Sequence, residues 1–403
     1  MRNPLNLLLL FIPAALLGRV LDWPPLVIFI ISGLAIVPLA KWMGTATEEL
    51  AVHVGPGIGG LLNATFGNAT ELIIAIFALR AGLVDVVKAS ITGSIVGNLL
   101  FVLGLSFFLG GWKREKQEFN RTAAGASGSQ LALAIIGLLI PAAFYFTLNT
   151  TATVRRDFLE QELSFVIAAL LIVSYVIGLI FSLRTHKHLY AGEGGEGEHE
   201  GQWSIGKGVG VLLAATLGVA VMSETLVASL EEAVHVLGWS ELFVGVILIP
   251  VIGNAAEHLT AVTVAMKNKM DLSIGIAIGS STQIALFVAP LLVFVSLLSA
   301  THMNLLFNPF ELVAIGLAVF IVNLLVLDGE SNWYEGVQLL LAYAIIAIAF
   351  FIPRLGPVRP TQHAHPRAES ASPPVWPRPD GILPVVFRRN SPQPWRDHAP
   401  GKG

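Results

Sequence analysis

The 403-residue chain contains no cysteine, which excludes disulfides and thiolate metal sites and leaves the redox compartment open. Charge is nearly as scarce: Asp, Glu, Lys and Arg make up 13% of the residues, where a soluble domain carries about 25%. A net charge of −3 provides no basic stripe for nucleic acid. The H-E-x-x-H spacing of a zinc hydrolase is missing as well, so neither enzyme chemistry nor a resident cofactor is expected. What fills the chain is apolar, 54% hydrophobic residues at a mean hydropathy of +0.73. Runs at 24–40, 164–183, 282–299 and 336–352 approach or reach the roughly 20 residues that cross hydrocarbon as a helix. They do not alternate as the strands of an outer-membrane barrel would. The lipid bilayer is the expected solvent.

Counting apolar runs between charged or Gly/Pro breaks predicts about eleven spans, centred near residues 12, 33, 67, 98, 138, 172, 217, 253, 286, 319 and 344. The fold class is therefore all-α, a polytopic membrane protein of about 11 transmembrane helices. Residues 1–23 form an extra N-terminal helix, retained because no small-x-small cleavage site separates it from Trp23, Pro24 and Pro25. Five spans follow in 24–185 and five in 204–352. Lys113, Arg114, Lys116 and Arg121, then Arg184, Lys187 and Lys207, then Lys267 and Lys269 fall on one face. The positive-inside rule makes that face cytoplasmic and puts the N-terminus inside. Between the halves, 186–203 is a linker with Glu193, Glu196, Glu198 and Glu200 among glycines and with His186, His188 and His199. Glycine-spaced acids lack rigid ligand geometry, so it reads as a solvated linker rather than a calcium or pH sensor. The Pro/Arg-rich stretch 353–403 has no apolar periodicity and reads as a disordered tail.

The halves repeat. Gly67-Asn68-Ala69-Thr70-Glu71 matches Gly253-Asn254-Ala255-Ala256-Glu257 at an offset of 186 (257 − 71). The same offset pairs Asp85 with Asp271, Gly93-Ser94 with Gly279-Ser280, and Leu100-Phe101-Val102 with Leu286-Phe287-Val288. An odd number of spans per half makes two such copies inverted across the membrane. A carboxylate at the centre of a membrane helix costs about 2.5–3.5 kcal/mol on insertion scales, and no basic residue in either span stands near Glu71 or Glu257. Inverted symmetry would bring the two together at the midplane, where a divalent cation or protons offset their repulsion.

Asn68 and Asn254 each lie three residues before their Glu and are expected to share its helical face. Gly67 and Gly253, with Pro250 one turn earlier, are where a helix can break. Calcium takes about 6–8 oxygens, so Asn68, Asn254, backbone carbonyls or water must add to the carboxylates. Ser94 with Asn98, and Ser280 with Gln283, are placed to complete the lining or to hydrogen-bond between helices. His258 points about 100° away from Glu257, as a proton relay or a packing histidine. Glu48 beside Glu49, Glu224, and Glu231 with Glu232 precede the core motifs and are assigned to the entrances, against simple surface solvation.

The two motifs, 63–73 and 250–258, resemble those of the calcium/proton exchangers of the cation/calcium exchanger superfamily, over residues 24 to about 352. The resemblance implies ten core helices in two inverted repeats and a site at which Glu71 and Glu257 bind calcium or protons in turn. It also implies Asn68, Asn254, Ser94, Ser280 and Gln283 nearby, His258 tied to proton coupling, and second and seventh spans that slide as gates bearing Glu48 and Glu224. The Gly-Thr-Ser-Pro-like stretch of sodium/calcium relatives is absent. The expected function is exchange of Ca2+ for H+ by alternating access in a prokaryotic inner membrane. Sodium or potassium/proton exchange is the alternative and a passive channel the more distant one. Nothing in the sequence specifies an oligomer.

Overall fold

A computed structural model describes residues 4–147, 153–186 and 202–352. The tail expected over 353–403 and most of the acidic linker lie outside the described residues. The rest is helical apart from one short ribbon. After a 3-10 turn at Pro4–Leu10 come α1 (Phe11–Val20), α2 (Pro25–Phe66), α3 (Ala69–Arg80), α4 (Val84–Gly111), α5 (Arg121–Thr147) and α6 (Thr153–Ile180). The second half holds α7 (Ile205–Ala228), α8 (Leu230–Leu237), α9 (Glu241–Gly253), α10 (Ala255–Met266), α11 (Met270–Leu298), α12 (Pro309–Leu325) and α13 (Trp333–Phe351). Among the described residues seven helices are long and apolar enough to cross a membrane, or eight if α8 and α9, bent by 114°, count as one span.

Two of the expected spans are not single helices. The one centred near 67 consists of the end of α2 followed by α3. Its start is marked by Gly55, whose φ of 80° and ψ of 170° put a kink inside α2, a conformation open to glycine and costly for other residues. The one centred near 253 consists of α9 followed by α10, interrupted at Asn254. The ends of the last helices are set by local chemistry: Asn308 and Asn332 form capping boxes with Glu311 and Glu335, satisfying amides that have no partner in the first turn.

Burial sorts the helices by role. In α4, 83% of the apolar window is buried, against 17% in α13 and 28% in α5, so α4 is an inner column and α13 and α5 are peripheral. α2 and α7, the first long helices of the two halves, pack along one another. Small residues permit this approach, with Gly218 against Leu39 and Gly208 against Leu50. α1 rests on α2 and α7. The 112–120 loop is pinned by an antiparallel pairing of Gln117–Glu118 with Glu330–Ser331 and by Lys116, 2.9 Å from Glu118 and 2.6 Å from Glu330. The hydrogen bond from the Lys116 ammonium holds the exposed Glu118 carboxyl below its usual range.

Candidate ion site

Both helix breaks serve the same purpose. Asn68 and Asn254 sit at the N-cap positions of α3 and α10, yet neither side chain caps its helix. Their backbone carbonyls accept the first helical hydrogen bonds, from Leu72 and His258, while their side-chain amides reach across to the other half. The Asn254 amide nitrogen donates to Ser94 Oγ at 3.1 Å and to the Pro250 carbonyl at 3.0 Å. Asn68 is met reciprocally by the Ser280 hydroxyl, which donates to its Oδ1 at 3.0 Å. Residues 68, 94, 254 and 280 obey the 186-residue offset, so each repeat's asparagine is bound by the other repeat's serine.

The carboxylates cross in the same way. Glu71 and Glu257 stand in the first turns of α3 and α10, at the positive ends of the helix dipoles. A Cβ built on Gly67 would lie 3.6 Å from Glu257 Oε1, and one built on Gly253 would lie 3.2 Å from Glu71 Cγ. Each glycine thus lies beside the glutamate of the opposite repeat, and at Gly253 the lack of a side chain leaves room for the Glu71 stem. Glu71 is 7% exposed, and both its oxygens, Glu257 Oε2 and Asn254 Oδ1 are buried with no hydrogen-bond partner. Four orphaned oxygens on two carboxylates and an amide have the chemistry that a hard cation or protons would satisfy, because an unpartnered buried acceptor is costly without a ligand. Among the described residues no cluster of three or more His, Asp or Glu exists. Amides, carbonyls or water must supply the other oxygens of a calcium ion.

A one-sided network breaks the symmetry. Asn68 donates to Gln283 Oε1, and Asn98 Nδ2 donates to Ser280 Oγ at 3.1 Å. The equivalents of Gln283 and Asn98 are Gly97 and Ile284, which cannot do the same. His258 Nε2 stands 3.0 Å from Asn98 Oδ1. With the Asn98 amino group facing Ser280, its carbonyl faces the imidazole and accepts a hydrogen bond in the tautomer that protonates Nε2. His258 therefore joins the site through Asn98, a link that its angle around the helix did not disclose. A π-helical turn follows each serine, at Gly97–Val102 and Ile284–Val288; such turns are frequent at functional sites.

The residues assigned to entrances lie elsewhere. Glu48 is exposed on α2. Glu49 is buried and accepts the Trp203 backbone N–H at 2.9 Å. Glu224 pairs with Arg19 of α1 at 3.9 Å, and Glu231 and Glu232 are exposed at the start of α8. A cavity of about 290 Å³ reaches Glu257 and is lined by Asn63, Gly67, Ser127, Asp271, Gly279 and Gln283, among others. Asp271 at its rim accepts the Asn120 backbone N–H at 2.6 Å, which ties the mouth to the basic 112–120 loop. Asn63 opened the first motif without being singled out, Ser127 had no motif to mark it, and Asp271 was visible only as the repeat partner of Asp85.

Residues 24–184 and 207–352 match the family model described as sodium/calcium exchanger protein. The chain is similar to a Ca(2+)/H(+) antiporter of Synechocystis sp., at 51% identity over 85% of this chain and 96% of that one. It is similar also to the Ca(2+)/H(+) antiporter ChaA of Bacillus subtilis, at 46% identity over 85% and 96%. The solved structure of native YfkE superposes with a TM-score of 0.74 at 43% identity, covering 87% of this chain and all of that one.

Proposed function

This chain belongs to the sodium/calcium exchanger protein family, and from that membership we infer that it is a multi-pass membrane antiporter exchanging Ca2+ for H+, with Glu71 and Glu257 taking calcium or protons in turn. The observation that carries the site assignment is the set of four orphaned oxygens, on Glu71, Glu257 and Asn254, at the crossing of the two repeats. A calcium ion there neutralises both carboxylates and accepts the Asn254 carbonyl; protons neutralise the same carboxylates without it. Occupancy is thus exclusive, and exclusivity couples the two fluxes. Asn68, Ser94, Asn98, Ser280 and Gln283 orient the lining, and His258 influences the proton-bound form through Asn98. Asn68 Oδ1 accepts from Ser280 and keeps a second lone pair for a cation.

The eleven-span count follows if α1, the broken pairs α2–α3 and α9–α10, and the short α12 each cross. Two inverted five-helix repeats over 24–185 and 204–352 are supported by the reciprocal Asn–Ser contacts. The basic 112–120 loop supports, by the positive-inside rule, a reading in which the cavity at Glu257 faces the cytoplasm across a prokaryotic inner membrane, with the N-terminus also inside. The test is uptake into proteoliposomes under an imposed pH gradient, scanning calcium, sodium and potassium. Calcium accumulation against its own gradient is expected, lost when the pH gradient is collapsed. Uptake indifferent to the pH gradient with no sodium present, or a preference for a monovalent ion, would refute the assignment.

A further inference from the structure

The bundle carries a groove that the ion site does not use. It has a volume of about 270 Å³ and lies between the N-terminal turn, which supplies Leu5, α2, which supplies Val37 and Lys41, and α10. From α10 and its end come Ala256, Thr260, Val264 and Lys267, with Leu259 and Thr263 beside them. Steps of four, four and three residues keep these side chains on one helical face. That face is eleven residues long (267 − 256), about 16 Å at 1.5 Å per residue, which matches the depth of one leaflet of a hydrocarbon core about 30 Å thick. The threonine hydroxyls donate to their own helix, to the Ala256 carbonyl at 2.9 Å and the Leu259 carbonyl at 2.6 Å. The donors left to the groove are therefore the two ammoniums. Lys41 and Lys267 are exposed, and among the described residues neither has an ion-pair partner. No carboxylate among the described residues lines the groove. Beside Lys267, the Arg114 guanidinium donates to the Met266 carbonyl at 3.1 Å and adds a third cation to this end of α10.

We propose that this groove binds an anionic phospholipid, with an acyl chain along Val37, Ala256, Thr260 and Val264 and the phosphate held by Lys41 and Lys267. Charge and length select this occupant. Two unpaired ammoniums on an otherwise apolar groove match a headgroup of net negative charge, whereas phosphatidylcholine brings a cation of its own against them. Inorganic phosphate would satisfy the lysines but gain nothing from the apolar wall. Lysine suits the position, since its stem lies along apolar surface while its ammonium reaches the interface. The bound lipid bridges α2 and α10, the helix that carries Glu257, and so stabilises the folded protein by mass action. The site is separate from the exchange reaction and requires only the multi-pass membrane setting.

The test follows the thermal unfolding midpoint of the purified full-length protein, stripped of lipid in detergent, as phosphatidylglycerol, phosphatidylcholine or inorganic phosphate is added. Phosphatidylglycerol is expected to raise the midpoint at concentrations where the other two do not. Lys41→Gln combined with Lys267→Gln should need about tenfold more phosphatidylglycerol for the same rise, the scale of two lysines at an anionic membrane surface. Both side chains are exposed, so the lipid-free midpoint should stay where it was. Lys41→Arg combined with Lys267→Arg should keep the response. So should Lys269→Gln, which removes a cation two residues beyond Lys267 and outside the groove. An equal response to phosphatidylcholine overturns the proposal, as does an equal response to phosphate alone, which marks a free-anion site. An unaltered response in the double glutamine variant, or an equal loss in Lys269→Gln, also overturns it, since the lipid then answers to another surface or to net charge. These readouts do not depend on transport, so they judge the groove even if the antiporter reading falls.

Discussion

Replacing either buried carboxylate by its amide isolates charge from shape. Glu71→Gln and Glu257→Gln keep the volume and one acceptor oxygen but remove the group that neutralises calcium and binds the proton. Removing one partner of a buried charge interaction costs about 3–5 kcal/mol, more than a hundredfold in affinity at about 1.4 kcal/mol per decade. Each variant is expected to lose exchange while the yield of folded protein is kept, because no cation among the described residues is left unpaired: Glu71 has no basic partner to strand. Glu231→Gln and Glu232→Gln, on an exposed turn of α8, should change uptake by no more than about fivefold, the scale of a solvated charge. Calcium uptake and folded yield measured on all four separate the roles. Glu71 and Glu257 stood out in the sequence because their motifs repeat in register. The partnership of His258 with Asn98 was not, since it joins residues 160 positions apart that no spacing rule connects.

At the scale of elements, equivalent helices have unequal freedom. Gly93→Ala would drive a methyl into the Val246 carbonyl and should cost about 1–3 kcal/mol of stability as overpacking. Gly279→Ala adds the same methyl where nothing stands within 4 Å and should leave thermal unfolding unchanged. Unfolding midpoints of the two purified variants test this; equal losses would mean that the closed contact between α4 and α9 is not the tighter one. The helix interruptions at Asn68 and Asn254 could be anticipated from Gly67, Gly253 and Pro250. That the asparagines would take the cap positions and bond across the repeats could not, because a cap position and a first-turn position differ by one residue and the sequence marks both alike.

For the whole molecule, the expectation is a sidedness. Cysteines introduced in the 113–121 loop should label from the cytoplasm and cysteines beside Arg155 from outside, with no native thiol to interfere. Labelling of both from one side would break the five-plus-five arrangement. The basic loop is a firm place for the first reporter, since Lys116 and the 117–118 pairing with 330–331 hold it against the second half. It also forms the rim of the cavity through Asn120 and Asp271, so the face that carries the positive charge is the one from which Glu257 is reached.

The sequence by itself determined the solvent, the apolar runs, the repeat and the chemistry of the site. These are local properties: lipid acts on each segment's composition, and an intramembrane carboxylate without a basic neighbour stands out wherever it packs. Only the tertiary structure decided that each carboxylate lies against the opposite repeat's glycine, that Asn254 and not Asn68 offers a free carbonyl, and that the cavity opens at Gly279 while Gly93 is covered. Two stretches with nearly the same pattern are packed differently. The difference belongs to contacts such as Leu183 on Gly60 and Val246 on Gly93, which exist only once the helices are assembled.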